Sequence, residues 1–233
     1  MSTETPGPPI LAEDDALVWV NKPPGVLSES NDTGNPALSD QVALYRAQRS
    51  GQSLRPFLGI VHRLDRPTSG CLVYAMTAAA QRDLQRQFRD RETKKVYWAV
   101  VESPPEKPEG VLEHHMLHDV GANKSRALDR KGTGTKEARL AYRLVAESDR
   151  YALLEIDLFT GRHHQIRAQL AAVGVHIKGD LKYGARRSNP GGGIHLHALS
   201  LEVTHPTSGD RVEVVAPPPK ETLWCYFRET AGP

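Results

Sequence analysis

A single carboxylate set between two guanidinium groups is the sharpest chemical feature of this 233-residue chain. It lies in His62-Arg63-Leu64-Asp65-Arg66-Pro67-Thr68-Ser69-Gly70, a loop bounded by proline and glycine just ahead of an apolar run at 71–76. Nearby cations favour an ionised carboxylate, so Asp65 suits a nucleophile or a base better than a general acid. The same arrangement also describes an aspartate held in a salt bridge at a turn. The physics of the loop alone leaves both readings open.

Two further groups could complete such a site. In Gly161-Arg162-His163-His164-Gln165-Ile166-Arg167, a glycine ahead of a helix N-terminus permits close approach of an anion or another chain. Helical spacing puts Arg162, Gln165 and Ile166 a turn apart and pairs His163 with Arg167, and Arg167 could reach across a sheet to a buried carboxylate. An amphipathic helix with a basic face is the plainer account. In Lys95-Val96-Tyr97-Trp98-Ala99, an inward-facing Tyr97 could stack on a base and offer its hydroxyl for proton transfer, or be an ordinary core tyrosine.

The elements that must position these groups follow from patterning. A short strand is expected at 16–21, then a sharp bend at Lys22-Pro23-Pro24-Gly25 and a polar loop at 29–37. Ser39 is the expected cap of a helix running to about Ser50, with Gly51 past its end. A buried strand at 71–76 precedes a helix capped by Thr77 and running to about Asp90, with Leu84 and Phe88 on one face and arginines on the others. Residues 95–102 alternate as a strand. Residues 103–138 read as irregular loops with short strands. Two antiparallel strands are expected at 139–147 and 151–159, a helix at 160–174 closed by Gly174, and a last hairpin from 194–203 and 211–217. Strands in antiparallel runs with helices between them argue for an α+β fold: a mixed, mostly antiparallel central sheet flanked by helices and loops.

Composition narrows the class. Hydrophobic residues make up 39% of the chain, which suits one sizeable globular unit, and no apolar run is long enough to span a bilayer. The polar, then acidic N-terminus lacks the pattern of a secretory signal, so a cytoplasmic protein is expected. Cys71 and Cys225 lie far apart and read as two reduced thiols. Net charge is only +2, but Arg82, Arg86, Arg89, Arg91, Lys94 and Lys95 form one basic group, and Lys178, Lys182, Arg186 and Arg187 another. Local patches of this kind can hold a polyanion or simply face solvent. Ten histidines invite a metal site at His114, His115 and His118, or at His195 and His197, but no carboxylate or cysteine completes a recognisable set.

Taken together, the motifs resemble those of the RluA-type RNA pseudouridine synthases. His62 to Gly70 matches the family's H-R-L-D-x-x-T-S-G, Gly161 to Arg167 its G-R-x-H-Q-I-R, Gly179 to Gly184 its G-D-x-x-Y-G, and Lys22 to Gly25 its K-P-x-G turn. The family usually carries a proline where His176 stands.

The resemblance implies the pseudouridine synthase fold over 15–218, with a catalytic cleft across the sheet. It leaves 1–14 as an expected disordered segment and 219–233 as a C-terminal extension. It implies isomerisation of uridine in folded RNA, ribosomal or transfer, with neither metal nor organic cofactor, by a monomer that needs no membrane. Asp65 becomes the essential carboxylate, Tyr97 the residue stacked on the target base, and Arg167 the partner of the aspartate. Arg63 becomes the side chain that enters the RNA stack in place of the extruded nucleotide, and Leu196 an apolar contact beneath the base. Arg162, His164 and Gln165 complete the expected substrate contacts. An RNA-binding protein with this fold but without catalysis is the alternative.

Overall fold

The computed structural model describes residues 7–30, 37–51 and 56–231. In chain order the elements are β1 (Ile10–Glu13), β2 (Leu17–Lys22), α1 (Leu38–Ser50), β3 (Gly59–Ile60), β4 (Ser69–Ala75), α2 (Ala78–Asp90), β5 (Lys94–Val101), β6 (Glu109–Asp119), β7 (Lys124–Leu128), β8 (Lys136–Glu147), β9 (Ala152–Leu158), α3 (Gln165–Ala172), β10 (Leu196–Thr204), β11 (Arg211–Val215) and α4 (Thr222–Ala231). The described strands join in one sheet of order β1-β2-β4-β10-β5-β9-β8-β6-β7, with β11 on β10 and β3 on β4. Among the described residues, β10 runs parallel to β4 and every other strand pairing is antiparallel. The mixed, mostly antiparallel α+β architecture is the one expected.

Strand alternation divides the core between the two faces of the sheet. Tyr97, Ala99 and Val101 of β5 join Leu72, Tyr74 and Ile156 in a large core covered by Leu38 and Val42 of α1 and by Ile166 and Leu170 of α3. Trp98 and Val100 turn the other way, onto Trp224 and Phe227 of α4. Cys71, Val73 and Ala75 of β4 face Ala80 and Leu84 of α2. Thr77 caps α2 as expected, its hydroxyl accepting from the Ala80 amide at 3.1 Å.

Several elements differ from the sequence reading. The chain was expected to be irregular through residue 14, yet Ile10–Glu13 is a strand paired with β2; residues 1–6 lie outside the described residues, as do 31–36 of the polar loop. Helix α1 begins at Leu38 behind Ala37, not behind Ser39; Asp40 replaces the expected cap by accepting from the Ala37 amide at 3.3 Å. Residues 103–138 contain the long hairpin of β6 and β7. Their half-exposed ladder carries histidine and charge on its wet side, which obscures the period of two. The expected helix at 160–174 starts only at Gln165, because residues 160–164 are fixed in a turn. The Gln165 carboxamide accepts from Thr160 Oγ1 at 2.8 Å and from the Arg162 amide at 3.0 Å, and His164 sits at φ 53°. The helical pairing of His163 with Arg167 is therefore absent. Beyond residue 218, α4 buries Trp224 and Phe227 and is part of the core.

The parallel contact of β4 with β10 depends on one residue. Gly70 has φ 119°, and a Cβ there would sit on the backbone of Ala198. Strand β10 carries Leu196 beside this crossing, and β4 directly follows the loop of Asp65. Gly70→Ala should lower the unfolding free energy by about 2 kcal/mol or more, from strained backbone and overpacking together. Urea denaturation reads this directly, and a midpoint equal to the wild type would show that the two strands have room to part.

Candidate active site

The Asp65 loop has no regular structure, but its backbone is pinned on all sides. Lys22, fully buried at the end of β2, donates from Nζ to the carbonyls of Pro23 at 3.0 Å, Val26 at 2.8 Å and Arg66 at 3.1 Å. Three carbonyls match the three N–H bonds of an ammonium. Burial pulls the Lys22 pKa down to about 7, opposed by the charge of Asp65. The Ser28 hydroxyl bonds both the amide and the carbonyl of Leu64, each at 3.0 Å. His62 accepts from the Val73 amide at 3.1 Å and stacks on Phe88. Burial holds that imidazole neutral, with its pKa lowered to about 3. The Ile194 amide donates to the Pro67 carbonyl at 3.2 Å, tying the loop to the approach of β10.

So held, the loop presents Asp65 to Arg167. Arg167 Nη1 donates to Asp65 Oδ2 at 3.0 Å, while Nε and Nη2 bind Asp180 in a bidentate pair at 2.7 and 2.8 Å. Asp180 is 1% exposed and Arg167 5%, whereas Asp65 keeps 25% of its side chain open. The guanidinium is therefore fixed from behind by a buried carboxylate and turns its remaining edge to Asp65. Tyr183 covers its face, with the ring 5.0 Å from Cζ. The Tyr183 hydroxyl is itself held by the backbone of Ser125 and by His164 Nδ1. The Nε2 of His164 lies 3.7 Å from Asp65 Oδ2. Burial first, then the charge of Arg167, lowers the His164 pKa to about 3, so its ring is neutral.

All the expected site residues meet in one place. Asp65, Tyr97, Arg167, Arg63, Leu196, Arg162, His164 and Gln165 line a pocket of about 100 Å³. Tyr97 lies beside Ala198 of β10, and burial followed by the charge of Asp65 pushes its pKa well above the ordinary phenol range. It is a protonated phenol, suited to stacking and hydrogen bonding. Gln165 is turned mainly toward Thr160, Arg162 and Gln169, so it shapes the rim more than it offers free donors. The pocket lies beside a cleft of about 1010 Å³ whose lining includes Arg66, Arg89, Arg91, Lys95, Arg162 and Lys182. The basic groups of the sequence thus divide: Arg86 is engaged by Asp83 and Glu92, and Arg186 by Glu102, while Arg89, itself paired with Asp90, borders the cleft with Arg91, Lys95 and Lys182. Arg63, 70% exposed, rests on Glu29 at 2.7 Å. Among the described residues no three His, Cys, Asp or Glu side chains gather in a way that could hold a metal ion.

A lone carboxylate in a small pocket floored by a tyrosine, beside a wide basic cleft, fits chemistry on one unit of a polyanion. Comparison with known proteins agrees: residues 16–172 match the family model described as RNA pseudouridylate synthase. The chain belongs to the RNA pseudouridylate synthase family. The dual-specificity RNA pseudouridine synthase RluA of Escherichia coli is 37% identical over 212 residues, covering 89% of this chain and 92% of its own. An uncharacterized RNA pseudouridine synthase of Synechocystis is 34% identical over 230 residues, covering 94% of this chain and 69% of that one. The structure of human RNA pseudouridylate synthase domain containing 4 has the same fold, with a TM-score of 0.77 at 24% identity, over 96% of this chain and 92% of that one.

Sequence reasoning about this synthase missed the supporting groups: Lys22, Ser28, Asp180 and Tyr183. Asp180 and Tyr183 stand in the G-D-x-x-Y-G match, where an acid and a tyrosine at fixed spacing were the available signal. His176, the departure from the usual proline, bonds the Tyr183 carbonyl at 2.8 Å and packs against Gly184, where a Cβ would strike its ring. Removing Arg167 would strand the buried Asp180 without its bidentate partner. Asp180→Asn should lower stability by roughly 3 kcal/mol. Asp65→Asn should change it by less than about 1 kcal/mol, because Arg167 keeps its buried partner. Equal losses in urea unfolding would show that the two carboxylates are not the unequal pair described here.

Proposed function

We propose that this RNA pseudouridine synthase acts as a monomer in the cytoplasm on a uridine of folded ribosomal or transfer RNA, swung out of its helix into the pocket of Asp65. The observation that carries this reading is the Asp65 carboxylate, held at one oxygen by Arg167 and partly open to a small pocket that adjoins the basic cleft. The E. coli relative is named for dual specificity and a Nitrosomonas relative, 37% identical, for the large ribosomal subunit, which supports a structured RNA target.

A stacked uridine hides its glycosidic bond, so the nucleotide must leave the helix, at a cost of a few kcal/mol. Arg63 suits that gap: its planar guanidinium is exposed and, among the described residues, rests on a surface ion pair with Glu29, which is cheap to break. The cations of the cleft meet the phosphates on either side. In the pocket the uracil lies against Tyr97, with Leu196 as an apolar contact and Arg162, His164 and Gln165 at the rim. Asp65 works at the sugar, either on C1′ as nucleophile or on a ribose proton as base. The C1′–N1 bond breaks, the base turns, and a C1′–C5 bond forms. The proton on C5 departs and N1 gains one, so the product is an isomer and no water is consumed. Hydrolysis of a glycosidic bond would ordinarily call for a second carboxylate across it, and the Asp65 loop offers one.

The reading is tested by mapping pseudouridine in ribosomal and transfer RNA from cells lacking the gene, before and after incubation with purified protein. Wild type should restore specific sites. Asp65→Asn should bind the same RNA yet form none. A wild type that binds but forms no pseudouridine would replace this reading with that of a non-catalytic RNA-binding protein. Arg63→Ala should keep its melting temperature and slow single-turnover conversion by about tenfold or more, the scale of an unstacking cost left uncompensated. An unaltered rate would remove Arg63 from the flipping step.

A further inference from the structure

Phe159 is 40% exposed and lines the cleft, yet none of the steps above uses it. It directly follows β9. Its neighbours turn inward: Leu158 lines the pocket, and the Thr160 hydroxyl holds Gln165. Its own position is fixed, since the amides of Phe159 and Thr160 both donate to the Arg139 carbonyl, at 3.2 and 3.3 Å. The Arg139 guanidinium lies over the ring, 4.9 Å from its centroid, and is in turn held by Glu113 at 3.0 Å. Arg139 does not line the cleft, whereas Phe159 does. A cation on one side of an aromatic ring steadies it while leaving the cleft side available. Solvent gains nothing from such a ring, but an unstacked base does, because every nucleobase has a π-face and stacks without regard to sequence. The cations that border the same cleft favour a polyanion over an apolar peptide as its occupant.

We propose that Phe159, backed by Arg139, is a stacking platform for an unpaired nucleobase adjacent to the flipped uridine, so that the synthase selects RNA whose target lies in an open loop. The proposal rests on the reading of the cleft as an RNA site and adds a second base subsite to it. A stem–loop that opens beside its target uridine delivers such a base without further unpairing. A target inside continuous duplex must break another pair to fill the platform.

The test is equilibrium binding of a labelled RNA hairpin with an unpaired loop, in a background of Asp65→Asn to prevent turnover. Phe159→Ala and Phe159→Leu should each weaken binding about tenfold, the scale of one lost stacking contact, while Phe159→Trp retains it. Abasic nucleotides placed one at a time through the loop should identify one position that weakens the Phe159-containing protein equally and leaves Phe159→Ala unchanged. Phe159→Leu binding as tightly as the parent would overturn the proposal, as would an Ala deficit that no abasic position removes. Pseudouridine formation by the protein with Asp65 intact is assayed separately. Its absence would refute the catalytic reading, while the binding cycle still decides the platform.

Discussion

A guanidinium almost excluded from water must have its charge met inside the protein, and it must be met by geometry good enough to repay desolvation. Arg167 achieves this with one bidentate carboxylate, Asp180, and then has a single edge left over. That edge is given to Asp65. The inequality of the two carboxylates organises the site. Asp180 is sealed and cannot act on a substrate, and Asp65 is partly open and can. Tyr183 then covers the face of the guanidinium, and Ser125 and His164 hold the Tyr183 hydroxyl in place.

The rest of the fold brings three distant stretches of chain to that cation. The Asp65 loop arrives between β3 and β4, Tyr97 lies on β5, and Arg167 stands in the first turn of α3. Irregular backbone can hold an aspartate precisely only when its polar groups are spoken for. The Lys22 cage, the Ser28 hydroxyl and the neutral His62 ring do this from three sides. Gly70 lets β4 and β10 approach closely enough for Leu196 and Tyr97 to share the pocket with Asp65. Under the proposed function, rigidity here and openness in the neighbouring cleft are complementary: one would grip the base and the other steer the polyanion.

Much of this was legible in the sequence, and the unread part has physical causes. The Asp65 loop and the opening of α3 announced themselves because polar residues crowd where a simple turn or helix would not need them. Strand β4 was readable because both its faces are buried and its apolar run is continuous, and β5 because its side chains alternate between two packed faces. The β6–β7 hairpin was not, because only one side packs and the other carries charge and histidine. The start of α3 was misjudged because a side-chain cap from Gln165 to Thr160 and Arg162 imitates, in sequence, the polar first turn of a helix. Lys22 was read as part of a bend. A lysine fully buried among carbonyls cannot be told from a surface lysine by its neighbours along the chain, because two of those carbonyls are local but the third belongs to Arg66. Asp180 was hidden for the same reason: its partner is a residue whose visible task is elsewhere.

A planar fork serves two carboxylates at once in this site, and Arg167→Lys tests that most directly. Lysine preserves the charge but offers a point cation in place of the fork. Single-turnover pseudouridine formation and RNA affinity should be measured side by side with the wild type. The account requires conversion to fall by about a hundredfold or more, the scale of a misplaced catalytic group, with affinity little changed. Conversion at the wild-type rate would mean that positive charge alone suffices, and that the bridge between Asp180 and Asp65 does not position the reacting carboxylate.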